Sequence, residues 1–213
     1  MRANKPYVIG LTGGTGTGKT EAAKYLESLG AARFDADEAS RAVTAPGGAA
    51  LGPIREQFGD EVFLPDGTLD RKALGEIVFH STPHRRALEG IIHPLVQRSL
   101  LEQMDAAAEA GAKVIILDVP LLFETGMDAL CDETWALTID RDKQISRVVA
   151  RDGITREQVE ARIDSMMSAE DRTARATRAI NTDQTVEKTR QMLAQLYRQA
   201  EKAAETKASE ASL

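Results

Sequence analysis

Cysteine is nearly absent from this chain of 213 residues, in which Cys131 stands alone. One cysteine excludes an intrachain disulfide, and it also excludes a zinc site because the three histidines show no metal-ligand spacing. The lack of disulfides is typical of a reducing compartment, so we predict a cytoplasmic protein. Cys131 falls between two predicted elements, and we interpret it as an inert packing residue.

Long apolar runs and an excess of positive charge are also missing. No stretch of about 18 apolar residues occurs, which excludes a transmembrane helix, and the first residues contain no apolar signal core. The formal net charge of -6 argues against bulk electrostatic binding to nucleic acid or to an anionic membrane. The length and the ordinary composition predict one α/β domain with insertions.

The strongest pattern in the chain lies at residues 13–20. Its sequence, GGTGTGKT, fits G-x-x-x-x-G-K-[ST], the phosphate-binding P-loop. The glycines let the backbone turn and bring its N–H groups close to an anion. Lys19 can reach the β- and γ-phosphates, and the Thr20 hydroxyl can bind Mg²⁺. A buried strand before the loop and a helix after it are predicted; the alternative is a glycine turn that binds nothing.

Strand-like runs alternate with helical patterns, which is the signature of βαβ units and a parallel sheet. A short fifth strand is indicated by Ile180, and we predict an α/β fold with a five-stranded, mostly parallel sheet flanked by helices. The four clear runs lie at residues 7–11, 32–34, 114–117 and 134–139.

One long insertion separates the second and third strands. Residues 37–110 are mostly helical by period, and Pro and Gly mark the turns between the helices. We interpret this insertion as a substrate-binding subdomain; the alternative is a decorative structural insertion. The helices are predicted at residues 38–43, 51–58, 69–79 and 83–110.

A charge-dense stretch follows the fourth strand, where arginines alternate with Asp and Glu at residues 140–178. Two interpretations stay open. The stretch forms either a pair of solvated helices with i,i+4 charge pairs, or a lid that brings arginines onto the transferring phosphate. Residues 201–213 have little apolar content and are predicted to be a fraying helix end or disordered.

Carboxylates follow two predicted strands, at the edge where open α/β sheets bind ligands. Asp35 and Asp37 come just after the second strand, where a carboxylate can accept a hydroxyl proton or hold Mg²⁺. Asp118 ends the third strand after four apolar residues, which is the Walker B form that places a carboxylate near the metal. The alternatives are an N-cap role for Asp37 and a strand-end hydrogen-bond network for Asp118. His93, on an apolar helix, is by itself more typical of a core residue than of a ligand.

Together these residues resemble the dephospho-coenzyme A kinase family over most of the chain, from about Val8 to Asn181. The most specific matches are IHPLV at 92–96 and LDVPLLFE at 117–124, because other P-loop kinases lack both segments. The remaining matches are GLTGG at 10–14, DAD at 35–37, FG at 58–59, DG at 66–67, LDR at 69–71, and Gln144, Arg147 and Arg151.

The resemblance implies a P-loop kinase fold with a helical substrate-binding insertion and a helical lid. It implies a transferase that uses ATP and Mg²⁺ to phosphorylate the ribose 3′-hydroxyl of dephospho-CoA, giving CoA and ADP in the final step of coenzyme A biosynthesis. ATP and dephospho-CoA would be its partners, without nucleic acid or membrane, and the protein would be a monomer or a weak homo-oligomer. The domains would be a nucleotide-binding core (1–36, 111–140 and 174–213), the insertion (37–110) and the lid (141–173).

The resemblance also implies roles for individual residues. Asp37 would accept the proton of the 3′-hydroxyl, Asp35 would support Mg²⁺ or hold the geometry, and Lys19 would stabilise the transferring phosphate. The metal would be bound by Thr20, Asp35 and Asp118. The nucleotide-binding set is Gly14, Thr15, Gly16, Thr17, Gly18, Lys19, Thr20, Glu21, Arg147 and Arg151. The set near the CoA moiety is Arg71, His93, Leu121, Leu122 and Glu124.

Two positions depart from the family pattern, since Met166 stands where Gln is expected and Thr177 where Asp is expected. Two other functions are therefore weighed. One is a kinase for another small hydroxyl substrate such as a nucleoside, against which the two specific segments argue. The other is a nucleotide-binding regulatory protein with a degenerate lid, which the intact P-loop and the Asp35–Asp37 pair oppose.

Overall fold

The computed structural model describes residues 5–210. Within that range the chain alternates strands and helices as expected for an α/β protein, and no helix there is long and apolar enough to span a membrane. The elements are β1 (Tyr7–Gly13), α1 (Lys19–Ser28), β2 (Ala32–Asp35), α2 (Ala36–Val43), α3 (Leu51–Phe58), α4 (Arg71–His80), α5 (Thr82–Glu109), β3 (Val114–Asp118), β4 (Glu133–Thr138), α6 (Arg141–Asp152), α7 (Arg156–Asp164), α8 (Ala169–Arg175), β5 (Arg178–Asn181) and α9 (Val186–Glu210).

The five strands form one sheet in the order β2-β3-β1-β4-β5, which confirms the predicted five-stranded sheet. The pairs β1–β3, β1–β4 and β4–β5 are parallel. All five residues of β3 are buried, as is typical of a strand covered on both faces. The register pairs Leu11 with Asp118, so the carboxylate at the end of β3 lies beside the end of β1, where the P-loop begins.

Two helices, α1 and α9, pack with the sheet around one apolar core. Trp135 of β4 and Leu11 of β1 are fully buried in this core, together with Leu26 of α1 and Tyr197 of α9. Burying one large apolar side chain stabilises a fold by about 1.5–3 kcal/mol. This core therefore fixes the strand before the P-loop and the helix after it.

The chain divides into two compact units, and the division predicted into core, insertion and lid stays a prediction. The first unit holds residues 5–34 and 104–210, and the second holds residues 35–103. In the second unit a short 3-10 helix, Asp60–Val62, contacts both α3 and α4 and buries Val62 completely. Helix α4 begins after Asp70, whose side chain accepts hydrogen bonds from the backbone N–H groups of Lys72 and Ala73, each at 3.0 Å.

The end of the chain corrects one prediction. Residues 201–210 are neither frayed nor disordered, because α9 continues to Glu210; residues 211–213 lie outside the described residues. Ala204 is buried in the core, and Lys207 Nζ donates to the Asp132 carboxylate at 2.6 Å and to the Pro6 carbonyl at 3.2 Å. The low apolar content of this segment led to the wrong prediction. Alanine and lysine are nevertheless good helix formers, and one small buried face is enough to hold the helix.

Removing residues 202–213 should lower the melting temperature by about 5 °C, because the truncation deletes the buried Ala204 and the Lys207–Asp132 ion pair. Thermal unfolding followed by circular dichroism measures the change. A chain that ends at Lys207 keeps both contacts and should melt close to the full-length protein. Equal melting temperatures for all three chains would contradict the docking of this helix.

Cys131 is partly buried at the edge of the core, in agreement with its interpretation as an inert packing residue. Its Sγ donates to the Met127 carbonyl at 3.5 Å, and a Cβ placed on Gly10 would lie 2.7 Å from that sulfur. Burial, reinforced by the charges of Asp128 and Asp132, raises the pKa of the Cys131 thiol to about 12. The thiol therefore stays protonated at neutral pH and is a poor nucleophile.

Candidate active site

The P-loop adopts a conformation that two of its glycines make available. Gly16 and Gly18 have φ of 79° and 86°, in the left-handed region that other residues rarely occupy. Gly18 is the N-cap of α1 and provides no side-chain cap, so the loop delivers an uncapped helix N-terminus. Such an end attracts anions through its unpaired N–H groups and the helix dipole. Thr20 and Glu21 are exposed in the first turn of this helix.

Hydrogen bonds from outside the loop hold its backbone in place. Gln144 of α6, which is buried, donates from Nε2 to the Thr15 carbonyl at 2.6 Å. Thr182, after β5, donates from its hydroxyl to the Thr17 carbonyl at 2.8 Å. A Cβ on Gly16 would lie 2.7 Å from a methyl group of Val148, so α6 also packs closely against the loop. Protein groups of α6 and of the segment after β5 therefore hold the loop in this shape.

Replacing Gln144 by Leu should weaken ATP binding by about tenfold, because it leaves the Thr15 carbonyl without its buried donor. Isothermal titration calorimetry with ATP measures the dissociation constant. Gln191→Leu, at an exposed position of α9, is the matched control and should bind ATP like the wild type. An unchanged affinity in the Gln144 variant would mean that the loop keeps its shape without this bond.

Asp118 lies at the end of β3 between two cationic side chains. Its side chain is 1% exposed, and it accepts hydrogen bonds from Lys19 Nζ and, at 3.1 Å, from Arg33 Nη1. The P-loop lysine and the strand-end carboxylate are therefore in direct contact, and the alternative of a strand-end hydrogen-bond network also applies to Asp118. The two ion pairs compensate a charge that would otherwise be costly to bury.

The residues present fit a magnesium ion that is bound mainly by phosphate oxygens and waters. Among residues 5–210 no group of three or more His, Cys, Asp or Glu side chains could hold a metal. Mg²⁺ nonetheless uses few protein ligands, since phosphate oxygens and waters complete its octahedral shell. The Thr20 hydroxyl and the Asp118 carboxylate, both in the first unit, are oxygen donors of the type that Mg²⁺ prefers.

The second unit begins with the two other candidate carboxylates. Asp35, rather than Asp37, is the N-cap of α2, because its Oδ1 accepts hydrogen bonds from the Asp37 and Glu38 N–H groups at 2.8 and 3.2 Å. The alternative of an N-cap role for Asp37 is therefore wrong. Asp37 is exposed in the first turn of α2, where its carboxylate is not required as a cap.

The charge-dense stretch forms three helices, α6, α7 and α8, whereas one of the two interpretations expected a pair of helices. Charge pairs are present, including the i,i+4 pair of Arg156 with Glu160 at 2.8 Å. Arg151 bonds to Asp152 at 2.7 Å and reaches the Thr15 hydroxyl of the P-loop at 3.4 Å. The hydrogen bond that Arg151 donates to the Asp152 carboxylate raises the pKa of the guanidinium. Arg147 is exposed on α6.

Comparison with known proteins identifies the family of this chain. A family model for dephospho-CoA kinase matches residues 7–188. The chain belongs to the dephospho-CoA kinase family. A dephospho-CoA kinase from Symbiobacterium thermophilum is 39% identical over 193 residues, which cover 91% of this chain and 81% of the relative.

Solved structures agree with this fold. A crystal structure from Thermus thermophilus superposes with a TM-score of 0.78 at 31% identity, covering 91% of this chain and 97% of that one. A dephospho-CoA kinase from Campylobacter jejuni gives a TM-score of 0.70 at 24% identity, covering 92% of this chain and 98% of that one, and supports the fold alone. The P-loop kinase fold is therefore confirmed.

A short segment connects β3 to the 3-10 helix Met127–Leu130, and it includes the end of the LDVPLLFE stretch on which the family resemblance rests. Within it Leu121 is exposed, whereas Leu122 is buried next to Gly10. Glu124 accepts a hydrogen bond from the Met167 N–H at 3.4 Å, which ties the segment to the start of α8. The two leucines therefore face different surroundings.

The remaining family-implied residues lie in the second unit. Arg71 donates from Nη2 to the Thr44 hydroxyl at 2.7 Å, which fixes the guanidinium at the start of α4. His93 is half-buried on α5, next to Pro94 inside the same helix. Both side chains belong to residues 35–103, so they share the compact unit that begins with Asp35.

The two departures from the family pattern have different surroundings. Thr177 forms a reciprocal pair with Thr134, since each hydroxyl accepts the other residue's backbone N–H at 3.0 Å. The Thr177 hydroxyl oxygen therefore accepts a backbone hydrogen bond, which the aspartate carboxylate expected at this position can also accept. Met166 lines a cavity of about 430 Å³ in the first unit, beside Gly14 of the P-loop.

Sequence reasoning missed two residues that contact the P-loop region. Gln144 was part of the family match, but no role was assigned to it, and its bond to Thr15 depends on the packing of α6. Arg172, on α8, was not singled out, although it lines the same cavity as Gly14 and Gln144. Nothing in the charge pattern distinguishes Arg172 from the exposed arginines around it, because burial is set by tertiary packing.

Proposed function

We propose that this chain catalyses the transfer of a phosphoryl group from ATP to the ribose 3′-hydroxyl of dephospho-CoA, giving CoA and ADP. The observation that carries the proposal is the family match over residues 7–188, which includes the P-loop and both family-specific segments. The contact between Lys19 and the buried Asp118 supports it, because it assembles a phosphate-binding cation and a strand-end carboxylate in one place.

The nucleotide would bind along residues 14–21. Backbone N–H groups of the loop would hold its phosphates, and Lys19 would turn from Asp118 toward the β- and γ-phosphates to stabilise the charge that develops there. Bound Mg²⁺ would supply further neutralisation of the phosphate charge. The residues that would hold it are Thr20, Asp118 and Asp35.

The acceptor hydroxyl needs a base, and we assign this role to Asp37. The exposed Asp37 carboxylate does not cap α2. It would take the proton of the 3′-hydroxyl as the hydroxyl oxygen attacks the γ-phosphorus in line. Arg147 and Arg151 would close over the phosphates from the lid. Arg71, His93, Leu121, Leu122 and Glu124 would contact the CoA moiety.

The domain roles are part of the same proposal. Residues 1–36, 111–140 and 174–213 would form the nucleotide-binding core, residues 37–110 the acceptor-binding insertion, and residues 141–173 the lid. A cytoplasmic location and a monomer or weak homo-oligomer follow as predictions. The first rests on the single cysteine and its inert environment.

ADP release from ATP and Mg²⁺, with and without dephospho-CoA, tests the proposal on the purified protein. Release that depends on dephospho-CoA, with CoA as the product, is the expected result. Tight ATP binding without acceptor-dependent release would contradict the assigned acceptor, and a panel of small hydroxyl substrates would then identify another. No ATP binding at all would contradict the nucleotide site itself.

A further inference from the structure

Arg172 carries a buried positive charge that the described structure does not balance. The residue is 4% exposed, and its Nη2 donates to the Met167 carbonyl at 2.9 Å. Its Nε is buried and has no hydrogen-bond partner among residues 5–210. A charged group buried with unused donors is unfavourable unless an anion reaches it.

The surroundings of Arg172 confirm that protein groups leave the charge largely uncompensated. Burial lowers the pKa of the guanidinium, and the charge of Glu124 opposes this effect. Within the part of the chain that the structure describes, no carboxylate forms an ion pair with it. Arg151, Arg156 and Arg162 differ in this respect, because each of them pairs with a carboxylate.

The guanidinium faces the P-loop. Its Nη1 lies 3.7 Å from the position that a Cβ on Gly14 would occupy. Arg172 and Gly14 line the cavity of about 430 Å³, together with Thr17 of the P-loop and Gln144 of α6. The guanidinium whose Nε lacks a hydrogen-bond partner therefore lies, through its Nη1, beside the loop that the proposed function assigns to phosphate binding.

We propose that Arg172 binds a phosphate group of the nucleotide from the Gly14 side of the P-loop. Its planar donors match phosphate oxygens and form charge-assisted hydrogen bonds with them. The proposal rests on the proposed ATP-dependent function and adds a phosphate-binding residue to it, from a helix that the family-implied set of nucleotide contacts does not include.

The acidic residues on the wall of this cavity restrict what binds there. Asp140, Asp164 and Glu170 line it as well, and their charges repel a free anion. A phosphate that is held by the P-loop at the same time overcomes this repulsion. Arg172 should therefore recognise phosphates carried on a nucleotide in preference to inorganic phosphate.

A purely structural role makes a different prediction. If Arg172 only fixes the connection before α8 through the Met167 carbonyl, its loss lowers stability and leaves the dependence on phosphate number unchanged. If it binds phosphate, its loss weakens ligands in proportion to the phosphates that they carry. Stability should then stay constant or increase, because replacing an unpaired buried charge by an apolar group is favourable.

The test compares Arg172→Met with the wild type and with Arg198→Met, an exposed arginine of α9 that controls for the loss of one charge. Calorimetry measures the dissociation constants of adenosine, ADP and ATP, and thermal unfolding measures stability. We expect ATP to bind about 30-fold more weakly to Arg172→Met, ADP to be affected less, and adenosine to be unaffected. The control variant should match the wild type throughout.

Equal weakening of all three ligands, or unchanged ATP binding, would overturn the inference about Arg172. If Arg172→Met does not fold, Arg172→Lys carries the same test, since it keeps the charge but loses the planar donors; its ATP affinity should fall while its adenosine affinity stays constant. Wild-type binding separates the two proposals. Failure of the wild type to bind ATP would overturn the proposed function together with this inference, whereas normal wild-type binding and transfer with an unaffected variant would overturn only the role of Arg172.

Discussion

Replacing Lys19 by Ala should lower kcat by about a thousandfold. In the proposed reaction Lys19 is the cation that the P-loop would supply to the transferring phosphate, and no other side chain of the loop carries a positive charge. The variant should remain folded, because Asp118 keeps its ion pair with Arg33 at 3.1 Å. Steady-state ADP release in the presence of dephospho-CoA measures the loss.

Three variants serve as controls for this effect. Lys24→Ala removes an exposed lysine from the same helix and should leave turnover unchanged. Arg147→Ala and Arg151→Ala remove exposed arginines of α6, and each should cost about tenfold or less, because a solvated charge contributes less than a partly buried one. Near-normal turnover of Lys19→Ala would contradict the assignment of the P-loop as the catalytic phosphate site.

Replacing Asp37 by Asn should lower kcat by about 10²–10³-fold, because an amide cannot accept the proton of the acceptor hydroxyl. Helix α2 should stay intact, since its N-cap is Asp35. The KM for ATP should change little, which separates a lost base from a lost nucleotide contact. Steady-state kinetics with both substrates varied provide these values.

Asp35→Asn is the matched control for Asp37→Asn. Asparagine caps helices as well as aspartate does, so this variant removes one charge and keeps the helix. We expect it to raise the Mg²⁺ concentration needed for half-maximal activity and to lower kcat less than Asp37→Asn does. If Asp37→Asn turns over within about threefold of the wild type, the proton acceptor lies elsewhere.

The elements that could be predicted from the sequence are those that local patterns determine. The P-loop, the fully buried strand β3 and the carboxylate at its end follow from short motifs whose geometry is the same wherever they occur. The parallel sheet follows from the alternation of strands and helices, because parallel strands require crossover connections. The order of the strands then places Asp118 beside the start of the P-loop.

The features that escaped prediction depend on tertiary packing or on single-residue boundaries. Asp35 and Asp37 are both good caps, and only the start of α2 at Ala36 decides between them. The end of α9 is held by the buried Ala204 and by the ion pairs of Lys207 with Asp132 and of Glu205 with Lys113, contacts between residues far apart in the sequence. Arg172 resembles its neighbours in sequence, and only tertiary packing, in which α8 contacts β4, buries it.

The most direct test of the account is to identify the product formed from ATP, Mg²⁺ and dephospho-CoA by ³¹P NMR and mass spectrometry. The account predicts one new phosphomonoester on the ribose 3′-oxygen, a product identical to CoA, and one ADP for each molecule formed. ATP consumption that yields ADP and inorganic phosphate alone, or a phosphate on a different hydroxyl, would contradict it.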